Sequence, residues 1–193
     1  MAISWEGYII RKALHLAGAA VPLVYLLRPE IQENLLLLTL AGATLLLALD
    51  ICRLLLAGVN QWFIDCFGRC LKEEEHWRVT GSSLFLFSCA MAIIFFSRPV
   101  AVASLLFLSL GDLAAAVVGQ KWRLAKSRAK SLQGAAACFL VAYLLGGMLV
   151  PGPAAFAGAL GAGLAELVSG PLGLDDNLSI PMLAGLAMTL MGA

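Results

Sequence analysis

The chain reads as all-α and membrane-embedded, a polytopic helix bundle of about seven transmembrane helices forming one domain over residues 1–193. Three observations predict this. Hydrophobic residues make up 61% of the chain and the mean hydropathy is +0.92, far above a globular composition. Successive apolar runs approach the roughly 20 residues needed to cross hydrocarbon. Lysine and arginine gather in alternate loops, as expected of a multi-pass protein with one cytoplasmic side.

The first run covers residues 8–27; its apolar part follows Arg11 and Lys12 and many spans succeed it, so it reads as a retained helix rather than a cleaved signal peptide. The second, residues 35–56, carries Asp50 and Arg53 at i,i+3, a spacing for an internal ion pair with a structural role. Residues 59–79 are too polar to span and belong at the interface. The third run is 81–97, ended by Arg98-Pro99; the fourth is 100–119; the fifth is 134–150, ended by Pro151-Gly152-Pro153. The sixth, 154–169, gives way to a polar turn at 170–177, and 178–192 makes a short seventh.

With the N-terminus cytoplasmic, eleven of the 13 lysines and arginines face the cytoplasm: Arg11, Lys12, Arg53, Arg69, Lys72, Arg78, Lys121, Arg123, Lys126, Arg128 and Lys130. Arg28 and Arg98 lie opposite. At about 1.5 Å per helical residue, His15, Asp50, Asp112 and Glu166 then all fall within roughly 5–10 Å of the cytoplasmic interface. Polar chemistry concentrates at one membrane face.

Other classes are disfavoured. A net charge of +1 gives no bulk argument for nucleic acid. Five cysteines are an odd number, and Cys52, Cys89 and Cys138 lie in or beside apolar runs, against a secreted disulfide framework. Cys66, Cys70 and His76 lack a fourth ligand for zinc. A transporter or scaffold would need polar residues continuing to the far leaflet, and the spans hold none there.

Ionisable groups inside spans are costly and mark function by default. Asp112 follows Gly111 and precedes Ala115, Ala116 and Gly119, small residues that admit a neighbouring helix. Lys130-Ser131-x-x-Gly134 places a cation, a hydroxyl and a helix start together, a pattern suited to phosphate oxygens. Glu166, with Gly158 and Ala162 at four-residue steps before it, leads to Asp175-Asp176-Asn177, hard oxygen ligands suited to Mg²⁺. Arg11 and Lys12 share a helix entry with His15. The run Glu73 to Glu75 reads as a solvated interfacial face.

In order, Arg11-Lys12-x-x-His15, Arg78-x-Thr80-Gly81, Gly111-Asp112-x-x-Ala115-x-x-x-Gly119, Lys130-Ser131-x-x-Gly134, Glu166 and Asp175-Asp176-Asn177-Leu178-x-Ile180-Pro181 resemble the membrane lipid-alcohol kinases that include dolichol kinase, phytol kinase and CTP-dependent diacylglycerol kinase. The resemblance covers nearly the whole chain, and departs after Gly119, where Gln120-Lys121-Trp122-Arg123 replaces an expected arginine and glycine. It implies transfer of the terminal phosphoryl group of a nucleoside triphosphate, CTP favoured, to the hydroxyl of a polyprenol, phytol or diacylglycerol at the cytoplasmic face. Mg²⁺ is then expected on Asp112 with Asp176 or Glu166. The triphosphate falls to Lys130, Ser131, Gly134 and Asn177, assisted by Lys12 or Lys126. Asp112 or Asp175 orients or deprotonates the alcohol, with His15 a further candidate base. A lipid cytidylyltransferase, which would release pyrophosphate, is the alternative within the same chemistry. Oligomeric state stays open.

Overall fold

The computed structural model describes residues 5–119 and 130–193, all helical or irregular, with no strand among them. Prolines and glycines set the breaks. α1 (Trp5–Gly18) and α2 (Ala20–Leu27) form one apolar rod interrupted at Ala19. Pro22 has no N–H to return to the Gly18 carbonyl, and a three-residue bond from Ala19 N to Leu16 O, 3.1 Å, closes the break. A 3₁₀ turn, Pro29–Ile31, leads into α3 (Gln32–Leu55), which α4 (Ala57–Phe67) follows. A second 3₁₀ turn, Glu73–His76, precedes α5 (Gly81–Phe95).

α6 (Arg98–Leu106) continues through a π-helical segment, Phe107–Gly111, into α7 (Asp112–Gly119). α8 (Leu132–Gly146), α9 (Gly152–Leu172) and α10 (Asp176–Leu190) complete the bundle. The α6–α7 rod is the axis of the fold. Within its most apolar stretch 72% is buried, against 22% for the Pro29–Leu55 rod, where Leu37, Leu38, Leu45, Leu49 and Leu55 face outward. Val100, Leu105, Phe107 and Leu108 are wholly inaccessible and join the two apolar clusters of the core.

Among the described residues four rods are long and apolar enough to cross a membrane: Ile10–Leu27, Pro29–Leu55, Arg98–Gly119 and Gly152–Leu172. Seven were expected. α5, α8 and α10 have 15 residues each, about 22 Å of helix against roughly 30 Å of hydrocarbon. The runs counted in the sequence included apolar residues that the chain spends on turns, such as 147–150 after α8.

One buried polar cluster fixes how the interfacial segment sits on the bundle. The Arg53 guanidinium reaches Asp50 Oδ1 at 2.7 Å, Asn60 Oδ1 at 2.8 Å, and the carbonyls of Glu75 and Arg78 at 2.9 and 2.6 Å. Asp50 Oδ2 accepts from Thr80 N at 2.8 Å, Thr80 Oγ1 at 3.0 Å and Ser83 Oγ at 2.6 Å. Asn60 Nδ2 donates to the His76 carbonyl at 3.0 Å. The spacing that marks an i,i+3 ion pair is realised, and the pair also caps α5 and pins the Glu73–His76 turn.

Arg53→Met removes this cation while leaving Asp50 and two carbonyls buried. Breaking a buried pair by removing one partner costs about 3–5 kcal/mol, so the thermal midpoint of the detergent-purified protein should fall sharply. A midpoint within a degree or so of the unaltered protein would show that the cluster contributes little.

Candidate metal and phosphate site

Asp112 opens α7 directly after the π-helical segment. The wider turn adds a residue to the rod, so Asp112 does not continue the face set by α6; such bulges are frequent at functional sites. Its carboxylate is buried and meets α1, where Lys12 Nζ lies 2.6 Å from Asp112 Oδ2. His15, one turn along, places Nδ1 at 3.6 Å from the same oxygen, beyond hydrogen-bond reach, and that buried nitrogen has no other partner among the described residues.

Glu166 and Asp176 reach the same place from α9 and α10. Lys130 Nζ bridges them, at 2.7 Å from Glu166 Oε2 and 2.6 Å from Asp176 Oδ1. Ser169 Oγ also donates to Asp176. Burial pulls the Lys130 ammonium down, but the Asp176 and Glu166 carboxylates outweigh it and raise the group above the usual lysine range. Asp112, Glu166 and Asp176 each offer an oxygen within 4.8 Å of the other two. Three hard oxygen donors gathered from three helices are the kind of set that a small dication such as Mg²⁺ draws together.

The loop between α9 and α10 is built to deliver this geometry. Gly173, at φ +68°, ends α9 in the left-handed conformation, with Leu174 N returning to Ser169 O at 2.9 Å. Asp175 then caps α10, its Oδ1 accepting from Asn177 N at 2.9 Å and Asn177 Nδ2 at 2.6 Å, while Oδ2 meets Lys72 Nζ at 3.2 Å. Burial raises the Asp175 carboxyl, but Lys72 and the two Asn177 donors prevail and hold it below the usual carboxylate range. A carboxylate so held is a poor base and a good anchor.

The remaining residues define how the site is packed. Ser131 caps α8, its Oγ accepting from Gly134 N at 3.0 Å. The Gly134 amide is thereby committed, and the contribution of Gly134 is spatial: a Cβ there would stand 2.9 Å from the Ala115 carbonyl. At the α5 start, a Cβ on Gly81 would meet Asn177 Nδ2 at 2.8 Å and Glu75 Oε1 at 3.0 Å. The Asn177 Oδ1 is buried without a hydrogen-bond partner among the described residues.

The structure therefore brings Lys12, His15, Asp112, Lys130, Glu166 and Asp176 into one connected group. Asp175 and Asn177 adjoin it through α10, and Ser131 and Gly134 through α8. Lys126 lies outside the described residues. The sequence reading overlooked Lys72 and Glu75. Glu75 is buried rather than solvated: it accepts from Arg11 Nη1 at 2.6 Å, Lys72 N at 2.6 Å and Gly81 N at 2.9 Å. Within a run of three glutamates on a 3₁₀ turn, no periodicity singles it out; the one available signal was Gly81, which marks where a helix start must be approached closely.

Two proteins similar to this chain have been found. It is 28% identical over 190 residues to the uncharacterized protein RP860 of Rickettsia prowazekii, covering 93% of this chain and 92% of that protein. It is 31% identical over 139 residues to CTP-dependent diacylglycerol kinase 1 of Eremothecium gossypii, covering 69% of this chain and 43% of the kinase. The chain thus spans less than half the length of that kinase. No family model and no solved structure matches it.

Asp175→Asn should lower the thermal midpoint at neutral pH. Because the folded carboxyl is held below its unfolded value, its stabilisation is present above about pH 3.9 and is lost as pH falls through the lower folded value. The gap between the unaltered protein and Asp175→Asn should be steady near neutrality and narrow below about pH 4. A gap that persists undiminished at the most acid pH the fold tolerates would remove the Lys72 pairing as its source.

Proposed function

We propose that the chain is a membrane lipid kinase, moving the terminal phosphoryl group of a nucleoside triphosphate, CTP favoured, to the hydroxyl of a polyprenol, phytol or diacylglycerol. The observation that carries this reading is the trio Asp112, Glu166 and Asp176, with oxygens within 4.8 Å and with Lys12 and Lys130 ammonium groups against them. The partial similarity to a CTP-dependent diacylglycerol kinase supports the class of donor and acceptor. The seven-crossing arrangement with a cytoplasmic N-terminus belongs to the same reading, supported by the eleven-to-two division of lysine and arginine. It lets a cytosolic nucleotide and the headgroup end of a lipid meet at one face.

Phosphoryl transfer needs charge neutralisation and in-line positioning more than covalent help. Asp112, Glu166 and Asp176 would hold Mg²⁺, which neutralises charge on the triphosphate. Lys12 and Lys130, already at the carboxylates, would pair with phosphate oxygens, together with the Ser131 hydroxyl at the start of α8. Asp175 holds Lys72 and Asn177 in place. The lipid oxygen bonds to the γ-phosphorus, the bond from that phosphorus to its bridging oxygen breaks, and CDP leaves. His15 takes the hydroxyl proton on Nδ1, which lies 3.6 Å from Asp112 Oδ2 and has no hydrogen-bond partner among the described residues. This separates the base from the metal-holding acids.

The purified chain, given Mg²⁺ and CTP labelled at the γ- or the α-phosphorus, is tested with diacylglycerol, phytol and polyprenols in turn. A kinase puts γ-label into lipid and releases CDP, whereas a cytidylyltransferase puts α-label into lipid and releases pyrophosphate. Label in none of the lipids from a folded protein would sink the proposal. Asp112→Asn should reduce transfer by on the order of a hundredfold or more while the protein remains membrane-inserted; full activity would remove Asp112 from the site.

A further inference from the structure

An open recess of about 340 Å³ lies on the segment that follows Lys72, lined by Glu73, Glu74, Trp77 and Arg78. All four belong to or follow the 3₁₀ turn Glu73–His76. Trp77 is 75% exposed. An exposed tryptophan near a bilayer is ordinarily a headgroup anchor, but two features separate this one from an anchor.

The first is its setting. The indole shares its cavity with an arginine and two glutamates, a lining that offers both hydrogen-bond donors and acceptors around one flat aromatic face. The second is rigidity. The backbone carbonyls of Glu75, His76 and Arg78 are all held by buried side chains, at 2.9 Å and 2.6 Å by Arg53 and at 3.0 Å by Asn60. An anchor needs no such fixing, whereas a binding surface gains from side chains whose backbone is already set.

The turn also joins the cavity to the charge cluster. Lys72 is its N-cap residue and pairs with Asp175 at 3.2 Å. At the other end Arg78 Nη1 reaches the Gly173 carbonyl at 3.4 Å, in the loop that delivers Asp175 and Asp176. That bond engages one guanidinium nitrogen and leaves further N–H donors of the fork for a ligand. One short segment thus touches the acidic loop and presents an aromatic and charged recess to solvent.

We infer that this recess is the nucleobase subsite of the donor nucleotide: Trp77 stacks on the base, a carboxylate of Glu73 or Glu74 accepts from the cytosine 4-amino group, and Arg78 donates to the cytosine 2-carbonyl. The inference rests on the kinase reading and deepens it, since it names the residues that select the base. The pattern favours cytosine over uracil for a stated reason. Uracil carries a carbonyl where cytosine carries the amino group, and that carbonyl would face a carboxylate, acceptor against acceptor.

The test measures equilibrium binding of CTP, UTP and ATP, with Mg²⁺, to the full detergent-purified chain and its variants. Stacking on an aromatic side chain carries enough that Trp77→Ala should weaken CTP binding by about 5- to 150-fold, with Trp77→Phe recovering most of it. The double change Glu73→Gln with Glu74→Gln should narrow the preference for CTP over UTP. Unchanged CTP affinity in Trp77→Ala, or an unchanged CTP-to-UTP ratio in the double variant, overturns the subsite. In either case an unaltered chain that still labels lipid from CTP keeps the kinase reading. An unaltered chain that binds no CTP overturns both.

Discussion

Carboxylates with oxygens within 4.8 Å of one another repel, and in a largely buried setting at the end of a helix bundle that repulsion is little screened. The arrangement of this end of the molecule follows from balancing it. Asp112, Glu166 and Asp176 arrive on three different helices, and the cations beside them come from two further places, Lys12 on α1 and Lys130 at the entry to α8. The outer acid, Asp175, takes its cation from the interfacial turn. Among the described residues none of these four acids takes its counter-charge from its own helix, so the balance holds only when the whole bundle is assembled.

This explains the position of α1. The Ile10–Leu27 rod is only 17% buried in its most apolar stretch, so apolar packing does little to place it. Its polar side chains do more: Arg11 bonds Glu75 and the Cys70 carbonyl, and Lys12 bonds Asp112. The first helix is located by charge. The interfacial segment is located in the same way, through Arg53 and Asp50, two ionisable residues that bear on the site only by holding the chain between α4 and α5. Buried pairs of this kind add little net stability over apolar packing; what they supply here is a defined geometry at a face where apolar contacts are few.

The same physics explains what could be read in the sequence. An acid inside an apolar run is costly enough to stand out, so Asp112 and Glu166 were identifiable singly and Asp176 by its place after Glu166. The Asp50 and Arg53 pair was identifiable from its spacing. Lys72 and Glu75 were not, because they lie on a polar 3₁₀ turn where charge is cheap and neighbours differ only in the direction each side chain faces. Three of the seven expected crossings are not matched by helices of spanning length among the described residues, for a related reason. Hydropathy records which residues tolerate hydrocarbon, whereas helix length is set by where the chain turns, and α5, α8 and α10 stop at 15 residues.

Small residues and charged residues are usually assigned separate roles, packing and chemistry, but in this bundle the first determine the second. Lys130 can bridge Glu166 and Asp176 only if α8 begins close to α7. That closeness depends on Gly119 and Gly134: a Cβ on Gly119 would stand 2.8 Å from Ser131 Oγ, and one on Gly134 would stand 2.9 Å from the Ala115 carbonyl. Backbone and a capping hydroxyl cannot move aside as the end of a flexible side chain can, so a methyl group at either glycine must push the helices apart. Gly134 lies only four positions after Lys130, and the displacement reaches the ammonium directly. A change with no charge and no polar atom would therefore act on the electrostatics of the acidic trio, through the distance at which its counter-charge stands.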